Sequence, residues 1–254
     1  MTRPHETVVG DQFGPRAQAY VESAVHATGP DLEALAALVG AAKPQRAIDL
    51  GAGGGHVAYL MARCAAKVTA CDLSAEMLNA VVTTARSRGL ANIETVQAPA
   101  ERLPFADATF DFLGCRYSAH HWRDFEIGLR EARRVVQAGA PAVFVDAFSP
   151  GSPLLDTHLQ AIELLRDVSH VRDYSLAEWT RALFLAGFAV RAVRTWRLRL
   201  DFAPWTERMR TPELNKRAIR AIQAAASSET RAHFAIADDG SFTLDVAMIE
   251  ASAD

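Results

Sequence analysis

A glycine-rich segment constrains most strongly what this chain can fold into. Residues 47–55 read Ala-Ile-Asp-Leu-Gly-Ala-Gly-Gly-Gly, an apolar strand pattern that reaches Asp49 and then opens into a turn. About 20 residues later, the apolar run 68–71 ends in a second acid, Asp72. In a parallel α/β sheet this spacing is typical of a nucleoside site. The first βα turn approaches the ligand through its backbone, and the second acid accepts hydrogen bonds from ribose hydroxyls.

Two features of this turn distinguish between nucleoside ligands. A dinucleotide fingerprint needs a third glycine for close packing of helix against strand, and that position is His56. Asp49 lies at the strand tip, where its carboxylate would repel a pyrophosphate and attract a cationic group. S-adenosylmethionine (SAM) combines a ribose and an adenine with a cationic amino-acid end. The turn therefore favours SAM over a dinucleotide as the cofactor.

Composition limits the class of partner. The 254 residues are 50% hydrophobic, which suits one large α/β domain or one domain with a cap. The net charge of −3 gives no electrostatic footprint for nucleic acid. The sequence contains no run of about 18 uncharged apolar residues, so no membrane span is expected. These observations predict neither nucleic-acid nor membrane partners.

The cysteines argue against a metal site or a disulfide framework. Cys64, Cys71 and Cys115 are scattered, odd in number and without a C-x-x-C pair. No metal is therefore expected. The first residues also lack the apolar core of a secretory signal, and together these features predict a cytoplasmic protein.

Strand-like and helical patterns alternate from residue 46 to residue 148. Such alternation is typical of a doubly wound, mostly parallel sheet with helices on both faces. Before it, residues 1–14 are expected to be loosely ordered, and prolines mark the starts of two helices. The predicted strands are 46–50, 68–71, 92–97, 110–115 and 141–148, and the predicted helices are 15–26, 30–42, 54–64, 74–87 and 123–137.

The C-terminal part departs from this alternation. Two helices, 153–167 and 175–186, precede strands at 189–200 and 242–249, and the long segment 203–237 between those strands is largely helical in pattern. Insertions beyond the carboxyl edge of such a sheet commonly cover the ligand crevice, so this segment is predicted to be a cap. The predicted organisation is N-terminal helices (1–43), a SAM-binding Rossmann-like core (44–150), a segment that completes the core and contributes to the cap (151–202), the helical cap (203–237) and a final strand (238–254).

Five segments carry a resemblance to a known family. They are Asp-Leu-Gly-Ala-Gly-Gly-Gly at 49–55, Asp-Leu-Ser-Ala-Glu-Met-Leu at 72–78, Ala-Glu-Arg-Leu-Pro-Phe at 100–105, Cys-Arg-Tyr-Ser-Ala-His-His-Trp at 115–122 and Glu-Ala-Arg-Arg-Val at 131–135. In this order they resemble class I SAM-dependent methyltransferases, above all the small-molecule group related to ubiquinone/menaquinone C-methyltransferases. Beyond the fourth strand the resemblance narrows to uncharacterised bacterial members. It implies a seven-stranded, mostly parallel sheet with a cap inserted before the last strand, and methyl transfer from SAM to a small molecule.

The resemblance also implies the residues that hold SAM. Many relatives carry an aspartate that binds the adenine amino group, and here that position is Pro99, which offers neither a carboxylate nor an N–H. Adenine recognition is therefore expected to rely on backbone at 100–101 and on apolar packing. Arg116 is expected to hold the SAM carboxylate through backbone or side chain. Tyr20 either folds over SAM or belongs to an exposed helix face. The full expected set is Asp49, Gly51, Gly53, Asp72, Leu73, Met77, Ala100, Glu101, Arg116 and Tyr20.

His120 and His121 are the candidate catalytic residues. A sulfonium leaving group is already cationic, so such an enzyme mainly supplies orientation and desolvation. A general base helps where the acceptor is an alcohol, a phenol or an acidic carbon. The segment after the fourth strand faces the methyl group in this fold class, which places both histidines near it. The alternative is that one ring packs beside Trp122 and the other bonds to backbone.

Two other functions are open to such a chain. A protein of the same fold could bind SAM or another nucleoside without transferring a methyl group. An RNA methyltransferase is disfavoured by the sequence pI of about 6.2. It is disfavoured further because Cys-Arg-Tyr-Ser at 115–118 replaces the N/D-P-P-Y/F tetrapeptide of base N-methyltransferases.

Overall fold

The fold is described from a computed structural model that covers residues 3–17, 21 and 28–254. Within these residues, seven strands form one sheet in the order β3-β2-β1-β4-β5-β7-β6. Neighbours among β1 to β5 pair in parallel, and β7 pairs antiparallel with both β5 and β6. The predicted doubly wound, mostly parallel sheet is confirmed. The strands are β1 (Arg46–Leu50), β2 (Lys67–Asp72), β3 (Ile93–Gln97), β4 (Phe112–Arg116), β5 (Pro141–Ala147), β6 (Phe188–Leu200) and β7 (Phe242–Ala253).

The helices begin where the sequence provides caps. Ser74 accepts a hydrogen bond from the backbone N–H of Met77, and Ser175 forms a reciprocal capping box with Glu178. Short 3₁₀ turns cover Gly14–Arg16 and Ala119–His121. The α-helices are α1 (His5–Phe13), α2 (Pro30–Ala42), α3 (His56–Met61), α4 (Ala75–Ser87), α5 (Phe125–Val135), α6 (Pro153–Arg166), α7 (Leu176–Ala186), α8 (Phe202–Arg208), α9 (Glu213–Ala224) and α10 (Ser228–His233).

Helices cover both faces of the sheet, and successive residues of β4 divide between two cores. Leu113 packs in a cluster with Leu129 of α5 and Trp179 of α7. The preceding residue, Phe112, packs on the opposite face with α2, α3 and α4. Because strand side chains alternate between faces, a one-residue shift of β4 would exchange these two cores. The packing therefore fixes the register of β4, and with it the position of its carboxyl end relative to the neighbouring strands.

A third core lies beneath the segment between β6 and β7. Trp205 of α8, Ile219 of α9 and Phe234 pack with Leu159 and Ile162 of α6. Helix α6 thus shares a core with the helices of the segment 203–237, close to the carboxyl end of β5. Among the described residues, no helix has both the length and the apolar character needed to cross a bilayer.

The prediction for the N-terminal residues is wrong in one respect. Residues 1–14 were expected to be loosely ordered, whereas His5–Phe13 forms helix α1. Pro4 precedes this helix, and Val9 and Phe13, four positions apart, present one apolar edge. The helix predicted for 15–26 cannot be compared along its length, because 18–20 and 22–27 lie outside the described residues.

Candidate active site

The first cavity lies at the carboxyl edge of β1, β2 and β4, and we call it the strand-tip cavity. It encloses about 1040 Å³ including its open mouth, a size suited to a cofactor. Helix α1 lies along one side of it with His5, Glu6, Val9 and Phe13. All residues expected to contact SAM line this cavity except Tyr20, which lies outside the described residues. The rest of its wall is formed by residues 49–54, 56–57, 72–73, 77, 98–101, 116–118 and 121–123.

The glycine turn after β1 is held closely against its neighbours on one side. Gly51 has φ 73°, and a Cβ at this position would lie 1.8 Å from the Ser118 hydroxyl oxygen. Only glycine allows this conformation and this approach. Gly53 also has a positive φ of 48°, but a Cβ there would meet no atom within 4 Å. The backbone at Gly53 is therefore open to the cavity, as a ligand that approaches the chain directly requires.

A buried carboxylate, Asp49, and a half-buried one, Asp72, flank the glycine turn. Asp72 accepts hydrogen bonds from the backbone N–H groups of Gly53 and Ser74, each at 2.8 Å. Burial raises the pKa of Asp72. Asp49 accepts a hydrogen bond of 2.8 Å from the backbone N–H of Ala58. Burial, reinforced by the charge of Asp72, raises the pKa of Asp49 to about 7. A ligand that brings hydroxyl donors and a positive charge would therefore stabilise the ionised forms of these two carboxylates.

The opposite end of the strand-tip cavity is apolar. Leu73 and Met77 line it together with Pro99 and Ala100. The carboxylate of Glu101 accepts a hydrogen bond of 3.0 Å from the backbone N–H of Asp124, which begins α5. The side chain of Glu101 therefore holds the start of a helix, and the segment 98–101 offers mainly backbone and apolar surface to a ligand.

The expectation that Arg116 holds the SAM carboxylate stays a prediction, and its side chain already has a partner within the protein. Its guanidinium forms an ion pair with Asp31 of α2, and both side chains are about 5% exposed. It also lies over the ring of Tyr117, 4.6 Å from the ring centroid. This arrangement connects α2 to the end of β4. The side chain belongs to the wall of the strand-tip cavity, and its charge is already matched by a buried carboxylate.

A second cavity lies between the sheet and the segment 203–237, and we call it the cap cavity. It encloses about 660 Å³. Phe13, Tyr117 and His121 line both cavities, so the two adjoin. Its apolar residues are Ala147, Leu198, Leu200, Trp205, Leu244 and Val246, and its other polar residues are His120, Glu163, Arg166, Asp167, Asp173 and Arg208.

The two histidines after β4 have opposite environments. His120 Nδ1 lies 2.6 Å from Asp146 Oδ1. Although burial opposes the charged form, the carboxylate of Asp146 raises the pKa of His120 to about 9. His121 Nδ1 lies 3.1 Å from the carbonyl oxygen of Ser169. Burial and the charge of His120 lower the pKa of His121 to about 4. At neutral pH, His120 is therefore charged and His121 is neutral.

The tautomer of His121 follows from its partner. A carbonyl oxygen only accepts hydrogen bonds, so Nδ1 carries the proton and donates it to Ser169. The lone pair is then on Nε2, which lies 4.0 Å from Asp167 Oδ2. The ring centroids of His120 and His121 are 4.1 Å apart. The backbone bond of His121 agrees with one part of the second alternative, whereas His120 binds a carboxylate, and a catalytic role for either ring stays a prediction.

Sequence reasoning missed several residues of these cavities. Helix α1 was missed because its polar composition concealed the pair Val9 and Phe13, whose spacing of four was the available signal. Asp146 follows an apolar strand pattern near the carboxyl edge, where ligand-binding side chains concentrate. Asp167 and Asp173 gave no comparable signal, because their place on the cap cavity depends on the packing of α6 and the loop after it.

The sheet order and the strand-tip cavity define a class I, SAM-binding α/β protein. Comparisons with known proteins agree. A family model described as a methyltransferase domain matches residues 48–144. The chain is 45% identical to the uncharacterized protein YafE of Escherichia coli strain K12, over 78% of this chain and 95% of that protein. It is 34% identical to the uncharacterized methyltransferase YcgJ of Bacillus subtilis strain 168, over 88% of each chain.

Solved structures share the whole architecture. The crystal structure of YcgJ matches with a TM-score of 0.82 at 31% identity, covering 87% of this chain and 97% of that one. A geranyl diphosphate methyltransferase solved in complex with SAM shares the fold at 20% identity, with a TM-score of 0.62 over 88% of this chain and 84% of that one. The chain belongs to the methyltransferase family and is a SAM-dependent methyltransferase.

Proposed function

We propose that the protein transfers the methyl group of SAM to a small molecule that occupies the cap cavity. The observation that carries this proposal is the common wall of Phe13, Tyr117 and His121. A cofactor in the strand-tip cavity and an acceptor in the cap cavity would meet at this wall. The cap cavity is lined on the cap side by Trp205 and Arg208 of α8 and has a volume of about 660 Å³ including its open mouth, which suits a small molecule better than a nucleic acid.

The cofactor contacts follow from the strand-tip cavity. Asp72 would accept hydrogen bonds from the ribose hydroxyls, and the negative charge of Asp49 would favour the cationic amino-acid end. The backbone of Gly51 and Gly53 would lie against the ligand. The adenine would pack between Leu73, Met77 and the segment 98–101, with backbone at Ala100 and Glu101 facing its edge. The ion pair with Asp31 leaves backbone as the proposed contact of Arg116.

His121 is the proposed proton acceptor. SAM, when bound, supplies an electrophilic methyl group on a cationic sulfur. The neutral Nε2 of His121 would take a proton from the acceptor, and Asp167 beside it would stabilise the imidazolium that results. His120, held by Asp146, would act as a fixed positive charge that also sets the pKa of His121. Both histidines thus act in catalysis, but only His121 receives a proton.

The proposed organisation of the chain keeps residues 44–150 as the SAM-binding core and 203–237 as the cap, with α6 contributing to the cap.

We also propose that the protein is cytoplasmic. Support comes from Cys64, Cys71 and Cys115, which are all free thiols; unpaired cysteines suit a reducing compartment. Fractionation of cells that express the protein would test the location.

A size-fractionated extract tests the proposed function. Purified protein would be incubated with SAM carrying a labelled methyl group and with a cell extract separated into small molecules and macromolecules. The expected result is formation of S-adenosylhomocysteine, together with labelled product, in the small-molecule fraction. Label transferred only in the RNA or protein fraction would contradict a small-molecule acceptor. The same assay without extract gives the background rate of SAM hydrolysis.

A further inference from the structure

The cap cavity contains a buried carboxylate oxygen that lacks a hydrogen-bond partner. Asp167 Oδ1 accepts hydrogen bonds from the backbone N–H and the hydroxyl of Ser169, at 2.9 and 2.6 Å. Asp167 Oδ2 has no hydrogen-bond partner among the described residues, although the side chain is only 1% exposed. Leaving a buried carboxylate oxygen unsatisfied costs free energy, so its position on a cavity wall indicates a ligand group.

A second buried carboxylate that lines the same cavity also has an oxygen with no hydrogen-bond partner among the described residues. Asp173 is 2% exposed, and its Oδ2 also has no hydrogen-bond partner within the described part of the chain. His170 Nε2 lies 4.0 Å away from this oxygen. It is 2.9 Å from Gln160 Oε1, an atom that only accepts hydrogen bonds. Burial and the charge of Glu163 raise the pKa of Asp173 to about 8. The charges of His120 and Arg166 act in the opposite direction but do not outweigh the effect of burial.

The cations of the cap cavity do not hydrogen-bond to the free oxygens of the two aspartates. Arg166 Nη1 lies 3.2 Å from Glu163 Oε2, and its Nε donates to the carbonyl oxygen of Trp205 at 3.1 Å. The charge of His120 is matched by Asp146. A positively charged ligand group is thus favoured on the side of Asp167 and Asp173.

We infer that the acceptor carries an ammonium group, and that Asp167 and Asp173 bind it in the cap cavity. This inference rests on the proposed function, because it identifies the chemical class of the molecule that the cavity receives. An ammonium has three N–H donors, which suits the two free carboxylate oxygens and the lone pair on Nε2 of His121. The distance of 4.0 Å between that Nε2 and Asp167 Oδ2 leaves room for one nitrogen to bond to both.

The apolar wall indicates the remainder of the ligand. Trp205, Leu198 and Leu244 line the cavity, together with Phe13, which also lines the strand-tip cavity. Buried apolar side chains of this kind bind hydrocarbon or aromatic groups. The acceptor class is therefore a small amine with an apolar body, and simple aryl-alkyl amines are suitable probes.

Two probes of equal size test the inference. 2-Phenylethylamine, which is an ammonium at pH 7, and 2-phenylethanol would be titrated calorimetrically into protein saturated with S-adenosylhomocysteine. The ammonium is expected to bind at least about tenfold tighter than the alcohol, because its hydrogen bonds to carboxylates are charge-assisted. Asp167→Asn and Asp173→Asn should each reduce this preference severalfold while leaving the affinity for the alcohol unchanged.

Asp245→Asn is the matched control. Asp245 lies on β7 between the cavity residues Leu244 and Val246, but its carboxylate binds Arg197 and His233, at 2.7 and 2.8 Å, outside the cavity. This variant should retain the full preference for the ammonium. Equal binding of the two probes, absence of ammonium binding, or a preference that persists in both asparagine variants would overturn the inference. Failure of the wild-type protein to bind S-adenosylhomocysteine at all would contradict the proposed function itself.

Discussion

The two cavities of this protein are built in different ways. The strand-tip cavity takes its two aspartates from the ends of β1 and β2 and its glycines from a single turn. The cap cavity takes its polar side chains from the loop after β4, from α6 and the loop that follows it, and from α8. The residues of a site made of backbone and strand ends are neighbours in the sequence and form short motifs. A site made of side chains from separate segments exists only after those segments have packed.

This difference has a chemical counterpart. The strand-tip cavity presents two carboxylates whose hydrogen bonds come from its own turn and helix, and it lies in the part of the chain that the family model matches, residues 48–144. Most of the polar residues of the cap cavity lie beyond that match. The proposed cofactor site therefore lies within the segment that the family model describes, whereas most of the proposed acceptor site lies outside it.

The largest effect, on the stability of the protein, is expected at Arg116, which forms a buried ion pair and also lines the strand-tip cavity. Arg116→Ala would leave the carboxylate of Asp31 buried without a partner, and the free energy of unfolding is expected to fall by about 3–5 kcal/mol. Urea unfolding followed by circular dichroism would measure this change. The double variant Arg116→Met with Asp31→Leu should recover much of the loss. A change below about 1 kcal/mol with a large loss of SAM affinity would instead assign the side chain to the cofactor.

The next effect is expected at the wall that the two cavities share. His121→Ala should lower kcat about 100-fold by removing the proposed proton acceptor. The affinity for SAM, measured separately by calorimetry, should change much less. An unchanged kcat at saturating SAM and acceptor would mean that His121 does not accept the proton.

The neighbouring histidine offers a sharper test of the same wall. Burial and the charge of His120 together hold the pKa of His121 at about 4, so the wild-type rate should not fall between pH 8 and pH 6 through titration of His121. His120→Asn removes that charge. The pKa of His121 should then rise, and a loss of rate should appear as the pH falls toward 5. A pH–rate profile that is identical in the variant would contradict the proposed coupling of the two rings.

A smaller effect is expected on the pH dependence of cofactor binding. Burial raises the pKa of Asp49 to about 7 in the ligand-free protein. Because the cationic end of SAM favours the ionised carboxylate, its affinity should fall as Asp49 becomes protonated, by about fivefold between pH 7 and pH 6. Calorimetric titrations at several pH values would measure this. Asp49→Asn is the control, and a dependence equally steep in that variant would assign it to another group.

The same division explains what the sequence could predict. Alternating patterns and caps such as Ser74 placed each of the predicted strands close to its observed position, because local propensity and tertiary packing agree there. The role of Arg116 was not predictable, since its partner Asp31 lies 85 residues earlier. Nor were the free oxygens of Asp167 and Asp173, because hydrogen-bond satisfaction is a property of the packed structure.

The central claim is that the strand-tip cavity binds SAM independently of the cap cavity. Calorimetric titration of SAM into four proteins tests it: the wild type, Asp72→Ala, Asp167→Asn and Asp111→Ala. Asp111 is a matched control, because it accepts two backbone N–H bonds, from Gln45 and Arg46, at the opposite edge of the sheet. The dissociation constant should rise about 100-fold in Asp72→Ala, which loses hydrogen bonds to a charged acceptor. It should stay within about twofold of wild type in the other variants. Unchanged SAM affinity in Asp72→Ala, or an equal loss in Asp167→Asn, would contradict this account.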